Sequence, residues 1–369
     1  MNDAVQLLPG MTEHHPLAPL TTIGVGGHAR YFYEAQTAQM LAEALAWARN
    51  NVVPVFVLGG GSNVLIADEG WPGLVLKMAI GGIEQVDGAA DGRARVVAGG
   101  GVIWDDLVRY CVENDLQGVE CLSGIPGEVG ACPIQNIGAY GQEVAETIAW
   151  VEAMERETGR MVTFGAAECE FGYRWSRFKG ADRDRYVMTR VAFDLAPGGA
   201  PTVRYGDLTR YLNEREILTP TLADVREAVI AVRRAKGMVV DAAIVESRSC
   251  GSFFMNPVIT AEECDDVARR VSELCGADVA AAMPRYAAPD GQVKLSAAWL
   301  MERAGIVRGL RQAGVGTSNL HVLALVNYDE GTAADLVALV RHIQQQVEDR
   351  LGVRLHPEPN FVGFESSSV

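Results

Sequence analysis

Residues 117–141, QGVECLSGIPGEVGACPIQNIGAYG, contain six glycines and two prolines and follow neither a helical nor a strand period. A structureless stretch of that length inside a compact protein is usually functional or disordered. Disorder does not suit it, because Ile125, Val129, Ile134, Ile137 and Tyr140 are interleaved with the glycines. An ordered backbone wrapped closely around a ligand accounts for both features, since glycine permits close approach and left-handed turns. The plainer reading is a proline-stiffened turn at 124–130 and a pair of turn-satisfying amides at Gln135 and Asn136.

A second glycine segment narrows the choice. The β-branched run VPVFVL (53–58) ends in Gly59, Gly60, Gly61, Ser62 and Asn63 and is followed by VLIA, which reads as strand, glycine loop, strand. Such a loop is either a tight turn or a phosphate cradle in which backbone N–H groups, a Ser and an Asn meet a pyrophosphate. No Gly-Lys-Ser/Thr follows and the GxGxxG spacing is absent, so neither a P-loop nor a Rossmann dinucleotide site is written here. Two glycine-rich segments in one chain favour a large, extended ligand, and a dinucleotide cofactor suits them.

The chain of 369 residues is long enough for two or three domains. Its 49% hydrophobic and 21% charged content is that of a globular protein. With 32 Lys and Arg against 47 Asp and Glu, the net charge of −15 excludes binding of nucleic acid or anionic lipid by bulk electrostatics. Any anionic ligand must meet a local basic pocket. The seven cysteines show no CxxC spacing and the six histidines no HExxH pair, so neither a disulfide framework nor a metal site is expected. The first residues lack a basic start followed by a long apolar run, and no apolar stretch approaches the ~20 residues of a membrane span, so a cytoplasmic protein is expected.

Local signals place the remaining elements. Thr37 caps a helix with Met40, Leu41, Ala44, Leu45 and Ala48 on one face, and 104–115 reads as a short amphipathic helix. Strands are expected at 73–78, 93–101 and 186–195, with a hairpin across Thr158-Gly159. The pattern changes near Thr219-Pro220, where a domain boundary is expected. Thr221 opens a helix with Val225, Val229 and Val232 inward, and Thr260 with Glu263 forms a capping box for another. Further helices are expected over 295–305 and 332–351, a strand over 320–327, and a last short strand within 353–364.

Several side chains carry possible chemistry. Arg174, in FGYRWSRFK, is either stacked on its aromatic neighbours or a bidentate clamp for a carboxylate. Ser252, in CGSFF, has no neighbouring base and no GxSxG context, so it reads as a cap or as a proton donor in an apolar pocket rather than a nucleophile. The run Arg233-Arg234-Ala235-Lys236 complements a helix end or receives a phosphorylated ligand. Tyr205 reads as ordinary packing, Cys250 as a buried thiol, and Glu358 is held rigidly between Pro357 and Pro359.

Taken in order, TTIGVGGHARYF (21–32), LGGGSN, IPGEVGACPIQNIGAYG, FGYRWSRFK, YGDL, GSFFMNP and the glutamate near the C-terminus resemble the UDP-N-acetylenolpyruvoylglucosamine reductases over nearly the whole chain. YGDL and YAAPDGQVKLSAAWL resemble the subclass with longer substrate-side insertions and a tyrosine that closes over the substrate. The resemblance implies an α+β enzyme: a two-part FAD-binding module of the vanillyl-alcohol-oxidase type plus a C-terminal α+β substrate-binding domain. The divisions expected are 1–85, with the tail 352–369 returning to it, then 86–219, then 220–351.

By the same resemblance, FAD is held non-covalently by Gly59, Gly60, Gly61, Ser62 and Asn63. Ile125, Pro126, Gly130 and Ile134 would also hold it, together with Gln135, Asn136, Gly138, Ala139 and Tyr140. Ser252 is implied as proton donor, with Arg174 and Glu358 stabilising the reacting enol. Tyr205, Lys236, Asn256 and Tyr286 are implied as substrate contacts, Lys236 at the diphosphate. NADPH is the reductant and a UDP-sugar the substrate, on a monomer with no nucleic-acid or membrane partner. The chain departs from the family pattern at Met255, where lysine is common, at Cys132, where a small hydroxyl residue is common, and at Pro359-Asn360, where Val-Arg follows the glutamate. The alternatives are an alcohol or hydroxy-acid oxidase on the same scaffold and a non-catalytic UDP-sugar sensor.

Overall fold

The computed structural model describes residues 6–365. Contacts divide the chain into two compact units: one comprises the chain up to His15, Ala29–Gly61 and Trp71–Val239, the other Pro16–His28, Ser62–Gly70 and the chain from Val240 onward. Among the described residues no helix is long and apolar enough to cross a membrane.

The first unit contains two sheets. In one, the strands His28–Ala35 and Val55–Leu58 both pair in parallel with Trp71–Met78. Parallel pairing needs a crossover, and the helix Ala38–Asn50 supplies it. Thr37 Oγ1 accepts from Met40 N at 3.1 Å to start that helix, whose Leu41, Ala44, Leu45, Trp47 and Ala48 share a core with Leu74, Leu76 and Met78. The other sheet is antiparallel, in the order Met161–Gly165, Ile148–Glu155, Tyr186–Pro197, Ala94–Gly99, Ile83–Val86. Its hairpin turns at Gly159, where φ is +71°. The helix Trp104–Glu113 buries Trp104, Leu107, Val108 and Cys111 in a core with Val151, Val191 and Phe193.

The helix Leu222–Ala235 packs in this first unit, so the division falls at Val239/Val240 and not at the expected 220. Two causes are visible. Val225, Ala228 and Val229 join Cys121, Leu208 and Leu212 in one apolar cluster. The Arg226 guanidinium also makes a two-point contact with Asp105, at 2.7 Å on each oxygen. Val232, expected to face inward, is only half-buried.

The second unit is built on the antiparallel order Ser249–Ser252, Ala324–Asn327, Val315–Thr317, Arg311–Gln312. The helices Ala261–Cys275 and Ala333–Leu351 both open with capping boxes, from Thr260 with Glu263 and from Thr332 with Asp335. Val267, Val271, Leu336, Val340 and Ile343 pack from them onto Phe253, Phe254 and Leu325. The strand expected over 320–327 is shorter, because the Ala324 N–H turns back to the His321 carbonyl at 3.0 Å. The segments 16–28 and 62–70, expected in the first subdomain, contact this unit instead. Near the C-terminus Asn360–Val362 pairs in parallel with Val64–Ile66.

Candidate active site

In the first unit the two glycine-rich segments meet backbone against backbone. A Cβ built on Gly60 would stand 2.8 Å from Gly127 Cα, closer than any side chain allows, and Gly61 has φ +64°. The second loop is fixed from below: Trp104 N donates to Gly127 O at 3.0 Å, Val129 N to Val102 O at 2.9 Å and Gly130 N to Gly100 O at 2.8 Å. Ile125, Ile134 and Ala139 are half-buried against the core of the antiparallel sheet, which holds the loop ordered. Gly138–Ala139 pairs with Gln142–Glu143 as a small hairpin, and Tyr140 at its bend has φ +50°. Burial pushes the Tyr140 hydroxyl above the usual tyrosine range.

Asn136 is 1% exposed and spends its side chain inside the protein. Its amide donates to Glu143 Oε2 at 2.8 Å and Gly172 O at 3.0 Å, while its oxygen accepts from Ala145 N at 3.1 Å. The side chain of Asn136, an expected cofactor residue, is thus engaged within the protein. Arg174 is tied to the same loop, with φ +53° and a guanidinium that donates to Gly138 O at 2.7 Å and Asn136 O at 3.4 Å. The Tyr173 ring centroid lies 5.8 Å from that guanidinium. Ser176 Oγ, two residues on, donates to Ile134 O at 2.6 Å, so the aromatic-basic cluster is fastened along 134–138.

Around the other candidates of this unit, Tyr205 is 53% exposed and meets the Tyr140 ring edge-on at 5.9 Å. Lys236 Nζ pairs with Asp207 Oδ2 at 2.9 Å. Arg233, from the basic run, is buried and donates to Gly124 O at 3.2 Å and Met238 O at 2.9 Å. That run is thus part structural: Arg233 holds the glycine segment, whereas Arg234 is exposed and Lys236 half-buried. Cys132 is a buried thiol whose ionisation burial opposes strongly.

In the second unit Ser252 ends the strand Ser249–Ser252, and the residues after it pair with the tail. Glu358 N donates to Phe253 O at 2.8 Å, Met255 N donates to His356 O at 3.0 Å, and Phe254 bridges Pro357. Glu358 is thereby set opposite the neighbour of Ser252, although 106 positions separate the two in sequence. Asn63 joins them: its amide donates to Glu358 O at 3.4 Å and its carbonyl accepts from Asn360 N at 3.0 Å. Asn256 Oδ1 accepts from Ala297 N at 2.9 Å at the start of the helix Ala297–Arg303. Tyr286 is 53% exposed on a short strand paired with Val293–Leu295. Cys250, read from the sequence as a buried thiol, is buried here: burial pushes its thiol up to about 12 and the thiol donates to Val64 O.

Two residues of the site escaped sequence reasoning. Glu128 is 8% exposed and pairs with Lys77, and its Oε2 has no hydrogen-bond partner among the described residues. The signal was present in LVLKM, where a lysine interrupts a buried strand and so requires a buried partner. Glu120, fully buried, accepts from Gln142 Nε2 and Thr202 N at 2.8 Å and from Gly118 N at 2.9 Å, pinning both ends of the glycine segment. The first unit therefore fits a dinucleotide such as FAD: two ordered glycine loops in backbone contact, beside a buried acceptor oxygen with no hydrogen-bond partner among the described residues. Among the described residues no cluster of three His, Cys, Asp or Glu side chains offers a metal site.

Comparison with known proteins agrees with that geometry. Residues 29–165 match a family model described as an FAD binding domain, and residues 243–362 one described as the C-terminal domain of UDP-N-acetylenolpyruvoylglucosamine reductase. Over 349 residues the chain is 43% identical to the UDP-N-acetylenolpyruvoylglucosamine reductase of Thermobifida fusca, covering 94% of this chain and 97% of that one. The Streptomyces avermitilis reductase of the same name is 44% identical over 352 residues, 95% of this chain and 94% of that one. The crystal structure of the Thermus caldophilus reductase superposes with a TM-score of 0.61 at 25% identity, covering 95% of this chain and 98% of that one.

Proposed function

The chain belongs to the family of UDP-N-acetylenolpyruvoylglucosamine reductases, and on that premise we propose how its residues divide the reaction among them. It is an FAD-dependent oxidoreductase that uses NADPH to reduce UDP-N-acetylglucosamine enolpyruvate to UDP-N-acetylmuramate, in peptidoglycan precursor synthesis. The chemistry that FAD supplies when bound is a two-electron relay from NADPH to the terminal carbon of the enolpyruvyl group.

The chain's own residues handle charge and the proton. Until the carbon next to the carboxylate is protonated, extra negative charge sits on that carboxylate, and a fixed cation there lowers the barrier. Arg174 has the planar fork for that task, and Glu358 acts with it on the enol. The Ser252 hydroxyl gives its proton to the carbon. Lys236 receives the substrate diphosphate, Asn256 and Tyr286 contact the sugar nucleotide, and Tyr205 closes over it. The glycine loops at 59–63 and 125–141 hold the cofactor, by backbone more than by side chain. The enzyme acts in the cytoplasm as a monomer, without a nucleic-acid or membrane partner.

The observation that carries this division is the pairing of the tail with the strand after Ser252, which gives Ser252 and Glu358 one rigid frame. The test is spectroscopic. Purified protein should show flavin absorbance, NADPH should bleach it without oxygen, and the enolpyruvyl sugar nucleotide should restore it. Denaturation should release free FAD. A bleached flavin that the sugar nucleotide fails to reoxidise would remove the proposed roles.

A further inference from the structure

We infer that the Glu128 carboxylate is a cofactor ligand: its Oε2 accepts a hydrogen bond from a hydroxyl of the FAD polyol chain or ribose, with Lys77 as the counter-charge that holds it in place. Three observations meet at this side chain. Lys77 stands in the strand Trp71–Met78 between buried Leu76 and Met78, and its ammonium donates to Glu128 Oε1 and to the Met78 carbonyl at 3.0 Å. The pair therefore joins the parallel sheet of the first unit to its second glycine loop. Glu128 Oε2 is buried and has no hydrogen-bond partner among the described residues. That oxygen would lie 3.5 Å from a Cβ on Gly59, so it faces the first glycine loop at the place where Gly60 touches Gly127.

An ionised carboxylate only accepts hydrogen bonds, and leaving one oxygen buried without a donor is unfavourable. Burial pushes the Glu128 carboxyl above the ordinary carboxylate range, against the pull of Lys77. The missing donor must therefore come from whatever fills the space beside the two loops. FAD offers hydroxyls on its ribityl chain and ribose, whereas its diphosphate carries only acceptors and negative charge and is repelled by a carboxylate. The glycine loops meet the diphosphate with N–H groups, and Glu128 meets a neighbouring hydroxyl. One residue type could not serve both.

The inference rests on the FAD reading, and its test separates the two. Apoprotein is titrated with FAD by fluorescence quenching for the wild type, Glu128→Gln and Glu128→Asp; the aspartate keeps the charge beside Lys77 but withdraws the oxygen by one methylene. Both variants should bind FAD about 10- to 100-fold more weakly, the span of a lost hydrogen bond to a charged group. The titration is repeated with FAD analogues that each lack one ribityl or ribose hydroxyl. The penalty of both variants should vanish for one analogue alone, which identifies whether the ribityl chain or the ribose is bound. Unchanged FAD affinity in both variants, or an equal penalty with every analogue, overturns the inference and leaves Glu128 as a structural partner of Lys77. A wild-type apoprotein that takes up no FAD would instead overturn the cofactor assignment itself.

Discussion

The glycine contact of the first unit and the serine strand of the second are held in place by opposite means. Gly60 lies against Gly127 with backbone touching backbone, so the absence of a side chain at Gly60 is what makes the contact possible. In the second unit Ser252 and Glu358 hang from a ladder between the strand and the tail, made by the main chain of Phe253, Met255, His356 and Glu358. Those ladder bonds run between backbone groups. A substitution in the first region should disturb structure and cofactor together, whereas one in the second should remove chemistry and leave the rest in place.

Ser252→Ala sharpens that contrast most. Losing a positioned proton donor typically costs ~10²–10⁴ in rate. The reoxidation of reduced flavin by the enolpyruvyl substrate should slow by about that factor in stopped-flow measurements, with the reduction by NADPH and the melting temperature unchanged. Arg174 sits on the other side of the comparison, because its fork is already engaged with the Gly138 and Asn136 carbonyls. Arg174→Lys keeps the charge but cannot span loop and carboxylate at once. Reoxidation should fall by roughly 10- to 100-fold, the scale of a charge-assisted hydrogen bond, and NADPH reduction should change little. An equal slowing of both half-reactions would make Arg174 a loop fastener only.

Gly60→Ala attacks the first region directly. The added methyl meets Gly127 Cα at 2.8 Å and its carbonyl carbon at 3.1 Å, and neither can swing aside as a side chain would. Overpacking of this kind costs about 1–3 kcal/mol. The variant should purify with less flavin and its apoprotein should melt several degrees lower. A fully flavinated Gly60→Ala protein of normal stability would show that the two loops are not in fixed contact.

The comparison also explains what was legible in the sequence. Signals spanning three or four residues were read as they stand: Thr37 with Met40, Thr260 with Glu263, and the turn at Gly159. The order of the glycine segment was legible as well, because its apolar residues needed a core to pack on. Pairings across the chain were not. Arg226 reaches Asp105 from 121 positions away and draws a helix into the first unit, which hydrophobic periodicity cannot reveal. An amide in a glycine loop fits either role, and the protein partners of Asn136, up to 36 positions away, are not written in its neighbourhood. Glu128 was hidden by its surroundings, since a glutamate among glycines reads as solvated until Lys77 is seen beside it.

The smallest effect expected concerns Lys236, whose ammonium is engaged 2.9 Å from Asp207. In the role proposed for Lys236, the substrate diphosphate competes with that carboxylate for it. Both side chains are 37% exposed, so the pair is solvent-screened and worth no more than ~0.2–1 kcal/mol. Asp207→Asn removes the competitor and should lower the KM for the sugar nucleotide by about 1.5- to 5-fold, the same energy expressed as an equilibrium, with kcat and FAD affinity unchanged. The pH dependence has a definite sign. The Lys236 hydrogen bond, outweighing burial, holds the Asp207 carboxyl below its ordinary range, with Arg210 assisting. The pair is therefore intact above the ordinary carboxylate pKa and is lost only as pH falls through the depressed value. Equilibrium binding of the sugar nucleotide to the wild type and to Asp207→Asn should differ near neutrality and converge in that acid range, where a protonated Asp207 no longer competes. A raised KM in Asp207→Asn would reverse the assignment: Asp207 would then orient Lys236 for the diphosphate and belong, like Glu128 and Lys77, to the ion pairs that build the site.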